Sequence, residues 1–479
     1  MGKFSYQSIR REMAWGMASE ACCYVYYPED ENDLLEIFEL AKVRGMTVGF
    51  RGAGQSYGDA ALNGEQILVD LSGWNRILDW DPENGLITVQ SGVTIAQLWR
   101  RVVSSGWWPP VVPGTMNPTV GGCASMNIHG KNHWQVGSFG DHVVDFKALL
   151  PSGKIVYCSR LKSQDLYYGM LGSFGMLGCF LSMTLQLKQI SSGEVQVTAL
   201  SAANLDDLLR IIDIHKDEDY VVGWVDCMVG SSAIGRGIVH TARHLDLPSQ
   251  NILTDDVAMS THELPTKILG VLPAKYLWIF LRMFNHRMGY KIVNAVRYYL
   301  GLLRNGHRFV QSLAQFNFLL DYIPNWKRAF LPGGLIQYQC FVPFRNAYTV
   351  FHKIIQCCTN SKSPPYLGVV KRHKADDFLI SCNLDGYSLA IDFSVKDGNR
   401  AGLSSLLAEL DKIVLDAGGR FYFAKDSTLN PEVARSFLGP KTLARLMELK
   451  LGCDPGGLLQ SNLSRRILPE LHGYQVDKG

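Results

Sequence analysis

The sequence predicts an α+β fold in which one domain is interrupted by another, and three observations carry the prediction. Up to about Lys188, short strand patterns alternate with short helix patterns. Between residues 189 and 418 the helices lengthen and the strands stand isolated. The final stretch, 419–479, holds one helix, one strand and a Pro/Gly-rich segment. Units below about 70–80 residues rarely fold alone, so this stretch is expected to return and complete the first domain, 1–188. At about 100–200 residues per domain, 479 residues suffice for such an arrangement.

The elements follow in order. Residues 32–44 place Leu34, Leu35, Ile37, Phe38 and Leu40 at helical spacing behind a polar cap, and Gly45 supplies the stop. A strand is expected at 46–50, then a glycine-rich loop at 51–59, then strands at 66–71 and 85–90. Thr94 caps the next helix, and Trp107-Trp108-Pro109-Pro110 opens an extended run. In the second domain, 335–342 and 387–393 read as strands; 420–424 reads as a strand of the C-terminal return.

Composition excludes several classes. With 47% hydrophobic and 19% charged residues the chain is not disordered, and a net charge of +3 argues against a nucleic-acid partner. Eleven cysteines, an odd number in mostly apolar company, show neither paired CxxC nor His/Cys zinc spacing. They argue against a disulfide framework or a metal and for a reducing compartment. The first twenty residues have no apolar core of a secretory signal. The longest apolar stretch, 268–284, is interrupted by Pro273, Lys275 and Arg282, so no membrane span is expected. The expected location is cytoplasmic, at the inner face of the plasma membrane if the chain meets lipid.

Three loops stripped of side-chain bulk stand out: Arg51-Gly52-Ala53-Gly54-Gln55-Ser56-Tyr57-Gly58-Asp59, then Pro113-Gly114-Thr115 with Thr119 to Asn132, then Gly172-Ser173-Phe174-Gly175-Met176-Leu177-Gly178. Glycines let backbone N–H groups converge on an anion. The first loop is not a GxGxxG dinucleotide fingerprint, because its spacing differs and a strand follows too soon for a crossover helix. Three separate loops instead suit a long ligand laid along backbone. Tight packing contacts are the plainer reading of the same glycines.

In order and content, RGAGQSYGD, PGT with TVGG and NIHGKN, and GSFGMLG resemble the FAD-binding domain of the vanillyl-alcohol oxidase type. LIQYQCFVP (335–343), DGYSLAIDF (385–393) and FYFAKDS (421–427) extend the resemblance over nearly the whole chain. Within that superfamily, IHGKNH, GSFGDHV and AKDS resemble the decaprenylphosphoryl-ribose 2′-oxidases. The resemblance implies a split FAD domain around a substrate domain built on an antiparallel sheet. It implies FAD contacts from Arg51, Gly52, Ala53, Gly54, Gln55, Ser56, Tyr57, Gly58, Asp59, Gly114, Thr119, Val120, Gly121, Gly122, Met126, Asn127, Ile128, His129, Phe180 and Tyr422. Many relatives carry a flavin-linking His where Gln55 stands, so the FAD is expected to be non-covalent. Where the mycobacterial enzymes carry Asn and Cys, this chain has Ser388 and Ala390.

The implied reaction is oxidation of a sugar's secondary hydroxyl, with hydride passing to flavin N5, on a lipid-linked or free sugar. A partner reductase would complete an epimerisation. Such chemistry needs a proton acceptor, an oxygen-orienting donor and positive charge near the reduced flavin. Lys425, His129 and Tyr57 are the catalytic candidates, with the base unassigned among them. Lys131, Gln337, Lys371 and Ser388 are the substrate-binding candidates, Lys371 as a cation for a phosphate. The plainer reading of Lys425 is a surface lysine paired with Asp426. Two rival functions remain: a soluble alditol or aldonolactone oxidase, and a flavin-binding scaffold for a reductase.

Lys267, Lys275, Arg282, Arg287, Lys291, Arg297, Arg304 and Arg308 occur without an intervening Asp or Glu, interleaved with Trp278, Phe280, Phe284, Tyr290, Tyr298 and Tyr299. Such a segment suits peripheral contact with an anionic membrane. A buried helical pair with a solvated basic rim would show the same pattern.

Overall fold

A computed structural model describes residues 9–245, 263–268 and 272–472. The first eight residues of the segment read as lacking a signal, residues 269–271 of the apolar stretch and the last seven of the C-terminal return lie outside the described residues.

Two small sheets form the N-terminal part. In the first, Ile9–Met13, Glu20–Tyr26, Ile67–Asp70 and Val48–Arg51 lie side by side, with the last pair parallel. The helix Glu31–Arg44 covers this sheet with Leu34, Ile37, Phe38 and Ala41 buried. Asp30 accepts from Asp33 N at its start, and Gly45, at φ 63°, closes it in the left-handed region. The second sheet is antiparallel, in the order Ile77–Asp81, Leu86–Gln90, Cys179–Gln186, Val143–Leu149, Ile155–Ser159. Between them, Thr94 and Gln97 make a reciprocal capping box on the helix Ile95–Val102.

The remaining sheet has eight strands in the order Arg308–Ser312, Glu194–Ala202, Gly237–His244, Tyr220–Val225, Gly368–His373, Gly386–Ser394, Leu335–Pro343, Arg420–Phe421, all neighbours antiparallel. The expected C-terminal strand is thus shorter than 420–424 and sits on this large sheet. Only Arg420 and Phe421 pair, with Phe341 and Cys340. The chain then turns sharply, Lys425 N donating to Tyr422 O at 3.0 Å and Asp426 N to Phe423 O at 3.3 Å.

The C-terminal stretch packs back on the first sheet. Val48 N donates to Leu458 O (2.8 Å) and Gln460 N to Val48 O (2.9 Å). Arg466 forks onto Asp59 at 2.7 and 3.0 Å and reaches Asp426 at 2.9 Å. One guanidinium therefore ties the first glycine loop to the Lys425 turn.

Candidate active site

A cavity of about 490 Å³ is lined on one side by the glycine loops and on the other by one face of the eight-stranded sheet. Alternation along the strands sets that face. Gln337 and Gln339 sit opposite Asp392 and Ala390. Lys371 and Val369 sit opposite Ser388 and Ala390, Trp224 opposite Val369, and His240 opposite Val222. All of these residues line the cavity.

The glycine loops supply the other wall, and two close approaches explain the residue type. A Cβ at Gly58 would lie 1.8 Å from the carbonyl oxygen of Asp426, and one at Gly121 2.7 Å from Ser91 Cβ. Gly58 thus seats the first loop against the Lys425 turn, where Tyr57 N donates to Ala424 O at 3.0 Å. Packing thus accounts for Gly58 and Gly121, and Gly121 also faces the cavity. Arg51, Gly52, Ala53, Gly54, Gln55, Ser56, Tyr57, Gly114, Thr119, Gly121, Gly122, Met126, Ile128, His129, Phe180 and Tyr422 line the cavity. Gly58, Asp59, Val120 and Asn127 are not among its lining residues. Asp59 is held by Arg466, and Asn127 Oδ1 accepts from Gly140 N.

Four buried polar atoms on lining residues have no protein partner: Gln55 Oε1, Ser91 Oγ, His129 Nδ1 and Tyr422 OH. Buried polar groups are rarely left so, and a polar ligand in the cavity would satisfy them. These orphans, with residues 52–56 along the cavity wall, fit FAD.

All seven catalytic and substrate-binding candidates line this one cavity. The Lys425 ammonium stands over the Tyr57 ring, 3.9 Å from its centroid, and Trp15 packs against that ring at 4.4 Å between centroids. Lys425 is thus a cavity residue, and Asp426 belongs to Arg466 instead. Burial pushes the Lys425 ammonium well below its ordinary range; the charge of Asp392 opposes the shift and that of Lys371 adds to it. Asp392 is the residue that sequence reasoning missed. It is buried, accepts from Gln337 Nε2 at 2.6 Å, and burial pushes its carboxyl well up, against the Gln337 hydrogen bond and Lys425. The cation and the acid are linked through their charges, so they share their titration. Burial and then the charge of Asp392 keep the Tyr57 phenol protonated far above its usual value. The signal for Asp392 was present: 388, 390 and 392 alternate on one face of a strand whose Ser388 was already a candidate.

His129 belongs to a buried histidine cluster, its ring 4.9 Å from His373 and 6.3 Å from His133. Burial first, then Lys371, His133 and Lys425, hold His129 neutral. With the Gln339 amide nitrogen taken as donor to His129 Nε2 (2.9 Å), the ring proton sits on Nδ1. The donor of His129 is then Nδ1, the ring atom without a protein partner. Ser388 Oγ pairs with His373 Nε2 at 2.8 Å, and Lys131 Nζ donates to the carbonyls of Phe316 and Asn317. Burial lowers Lys371 to about 8.

Residues 23–159 match the family described as FAD binding domain. Over 471 residues, 96% of this chain and 98% of the other, the sequence is 30% identical to decaprenylphosphoryl-β-D-ribose oxidase of Mycolicibacterium smegmatis. It is 25% identical to L-gulonolactone oxidase of Bos taurus over 43% of this chain and 46% of that one. It is 29% identical to D-lactate dehydrogenase of Anaerostipes hadrus over 32% of this chain and 34% of that one.

Proposed function

Since the chain belongs to the family of the decaprenylphosphoryl-ribose oxidases and is an FAD-dependent oxidoreductase, we propose that it oxidises the 2′-hydroxyl of a polyprenyl-phosphoryl ribose to the keto sugar. The observation that carries this reading is the charge of the cavity. Among the described residues, Arg51, Lys131, Arg297, Lys371 and Lys425 line it against one carboxylate, Asp392. An anionic sugar suits that wall better than a neutral polyol or lactone.

FAD, bound non-covalently along the glycine loops, supplies the hydride acceptor. The chain's own residues handle the proton and the pose. Lys425, largely stripped of its solvent, takes the hydroxyl proton, and Asp392 balances the ammonium that results. Gln337 fixes the Asp392 carboxylate through its 2.6 Å hydrogen bond, and the Tyr57 ring seats Lys425. His129, oriented by Gln339, offers a hydrogen bond to the substrate oxygen. Hydride and proton leave the same carbinol, so a keto sugar is released, and a partner reductase would return it as the epimer.

The substrate's tail explains a feature a soluble oxidase would not need. In the helix Arg287–Leu303, Met288, Ile292, Val296, Tyr299, Leu300 and Leu303 are exposed, as are Ile279, Phe280 and Met283 in the helix Leu277–Met283. The outward face is apolar and its neighbours are basic, the reverse of a buried pair with a solvated rim. No helix among the described residues is long and apolar enough to cross a membrane.

Anaerobic titration of the FAD-loaded protein tests the reading. A phosphoryl-ribose lipid should bleach the flavin, while free ribose, alditols and aldonolactones at the same concentration should not. Bleaching by free polyols or lactones alone would overturn it in favour of a soluble oxidase.

A further inference from the structure

The two faces of the helix Arg287–Leu303 meet different surroundings. Asn294 and Tyr298 are buried, and a Cβ on Gly301 would lie 2.3 Å from Ile238 of the large sheet. Arg297 lies three residues after Asn294 and four before Gly301, on this inner side, and it lines the cavity. Its basic neighbours in the sequence gave no sign that this exposed arginine also faces the cavity.

The guanidinium lies over the Trp224 ring, 4.7 Å from its centroid. The residue is exposed, as a group facing an open hollow is, and the protein around its guanidinium is close enough that burial lowers its pKa to about 10. Among the described residues it has no carboxylate partner and no hydrogen-bond acceptor. The other cations are engaged or stand elsewhere. Lys131 is capped by two carbonyls, Arg51 donates to Ala61 O and lies 3.6 Å from Glu12, and Lys425 stands with Asp392. Lys371, expected to take a phosphate, sits opposite Ser388 on the strand next to that of Asp392, one strand nearer the Lys425–Asp392 pair than Trp224.

Strand order gives the spacing. Trp224 is on Tyr220–Val225, Lys371 on the next strand and Asp392 on the one after. Two inter-strand steps are about 10 Å, which leaves room for a sugar ring between Trp224 and the Lys425–Asp392 pair.

We propose that Arg297 is the anchor for the substrate's phosphoryl group: Trp224 holds the plane of the guanidinium, and its fork grips two phosphodiester oxygens, presenting the ribose to Lys425. A planar, always charged fork matches phosphoryl oxygens in a way that a lysine does not. This assignment deepens the proposed function and rests on its phosphoryl sugar.

The test uses FAD-loaded full chains of wild type, R297Q and R297K, with FAD absorbance confirming the fold. Anaerobic bleaching is titrated with farnesyl-phosphoryl ribose and with the farnesyl riboside that lacks the phosphoryl group. In R297Q, half-saturation by the phosphoryl substrate should rise about 10–10²-fold, the loss expected for a charged hydrogen-bonding partner, with a far smaller rise for the riboside. R297K should recover part of it. Equal penalties on both substrates, or none, would overturn the anchor. Calorimetry with farnesyl monophosphate and inorganic phosphate separates this from the function itself. If neither sugar bleaches wild type, weaker farnesyl monophosphate binding in R297Q still supports an anion site there, and unchanged binding rejects it. Equal binding of inorganic phosphate would reject a lipid source.

Discussion

Lys425 and Asp392 leave water together, and the sign of their mutual effect makes their roles testable. If Lys425 accepts the hydroxyl proton, the limiting rate of anaerobic flavin reduction should climb with pH as the pair loses its proton. The Asp392 charge raises the Lys425 pKa, so D392N should move that step to lower pH. Lys371 lowers it, so K371Q should move the step upward. Stopped-flow pH profiles showing both variants shifted in the same direction would refute the pairing. K425A should keep FAD and slow reduction by about 10²–10⁴-fold; near-normal single-turnover reduction would remove Lys425 from the mechanism. Lys425, His129 and Tyr57 were legible from motifs, whereas Asp392 had only its alternation with Ser388 to mark it. A carboxylate in an alternating strand reads as solvent-facing until the opposite sheet face is known, and only the fold reveals that the face with Gln337 and Lys371 looks into a hollow.

The helix Arg287–Leu303 illustrates a limit of periodicity. Its pattern announced an apolar stripe and a basic complement, but a stripe does not say which side meets protein. Here the stripe turns outward, Arg297 turns inward, and Arg287 is tied at 2.8 Å to the carbonyls of Thr359 and Ser361. Charge reversal at Arg287 would therefore disturb the helix's seat, so R282E with K291E is the cleaner probe of membrane contact. Each surface cation near anionic headgroups contributes on the order of 1 kcal/mol, so the double variant should bind phosphatidylglycerol vesicles at least about tenfold more weakly. In flotation assays wild-type binding should rise with anionic lipid and fall with salt. Vesicle binding indifferent to both variables would count against an electrostatic component. The Lys425 turn makes a second element-scale test. G58A places a methyl group 1.8 Å from Asp426 O, so the loop and turn must separate. Overpacking of this kind costs about 1–3 kcal/mol and should lower both the melting temperature and FAD retention. Unchanged FAD occupancy would show that the contact does not position the loop.

At the scale of the whole molecule, the cofactor should act as part of the fold. With Gln55 in place of a linking histidine, acid precipitation should release the yellow colour to the supernatant; flavin mass remaining on the denatured chain would contradict this. FAD added to the stripped protein at about 100 times its dissociation constant should stabilise it by about 2.7 kcal/mol, visible as a rise in melting temperature. Much of this architecture was legible early: the strands flanking the first glycine loop, the Thr94 cap and the two long strands at 335–342 and 387–393 follow from local pattern, while the pairing of those strands was not legible. The two-residue strand Arg420–Phe421 and the bond from Arg466 to Asp59 were not, because both are fixed by partners far away in sequence. That separation sets a timetable for biosynthesis. Asp59 and its clamp are 407 residues apart. At about 5–20 residues per second, the ribosome needs roughly 20–80 s to make the intervening chain. Throughout that interval the nascent glycine loop lacks the arginine that ties it to the Lys425 turn, so a chaperone guarding it would have to stay until the clamp emerges.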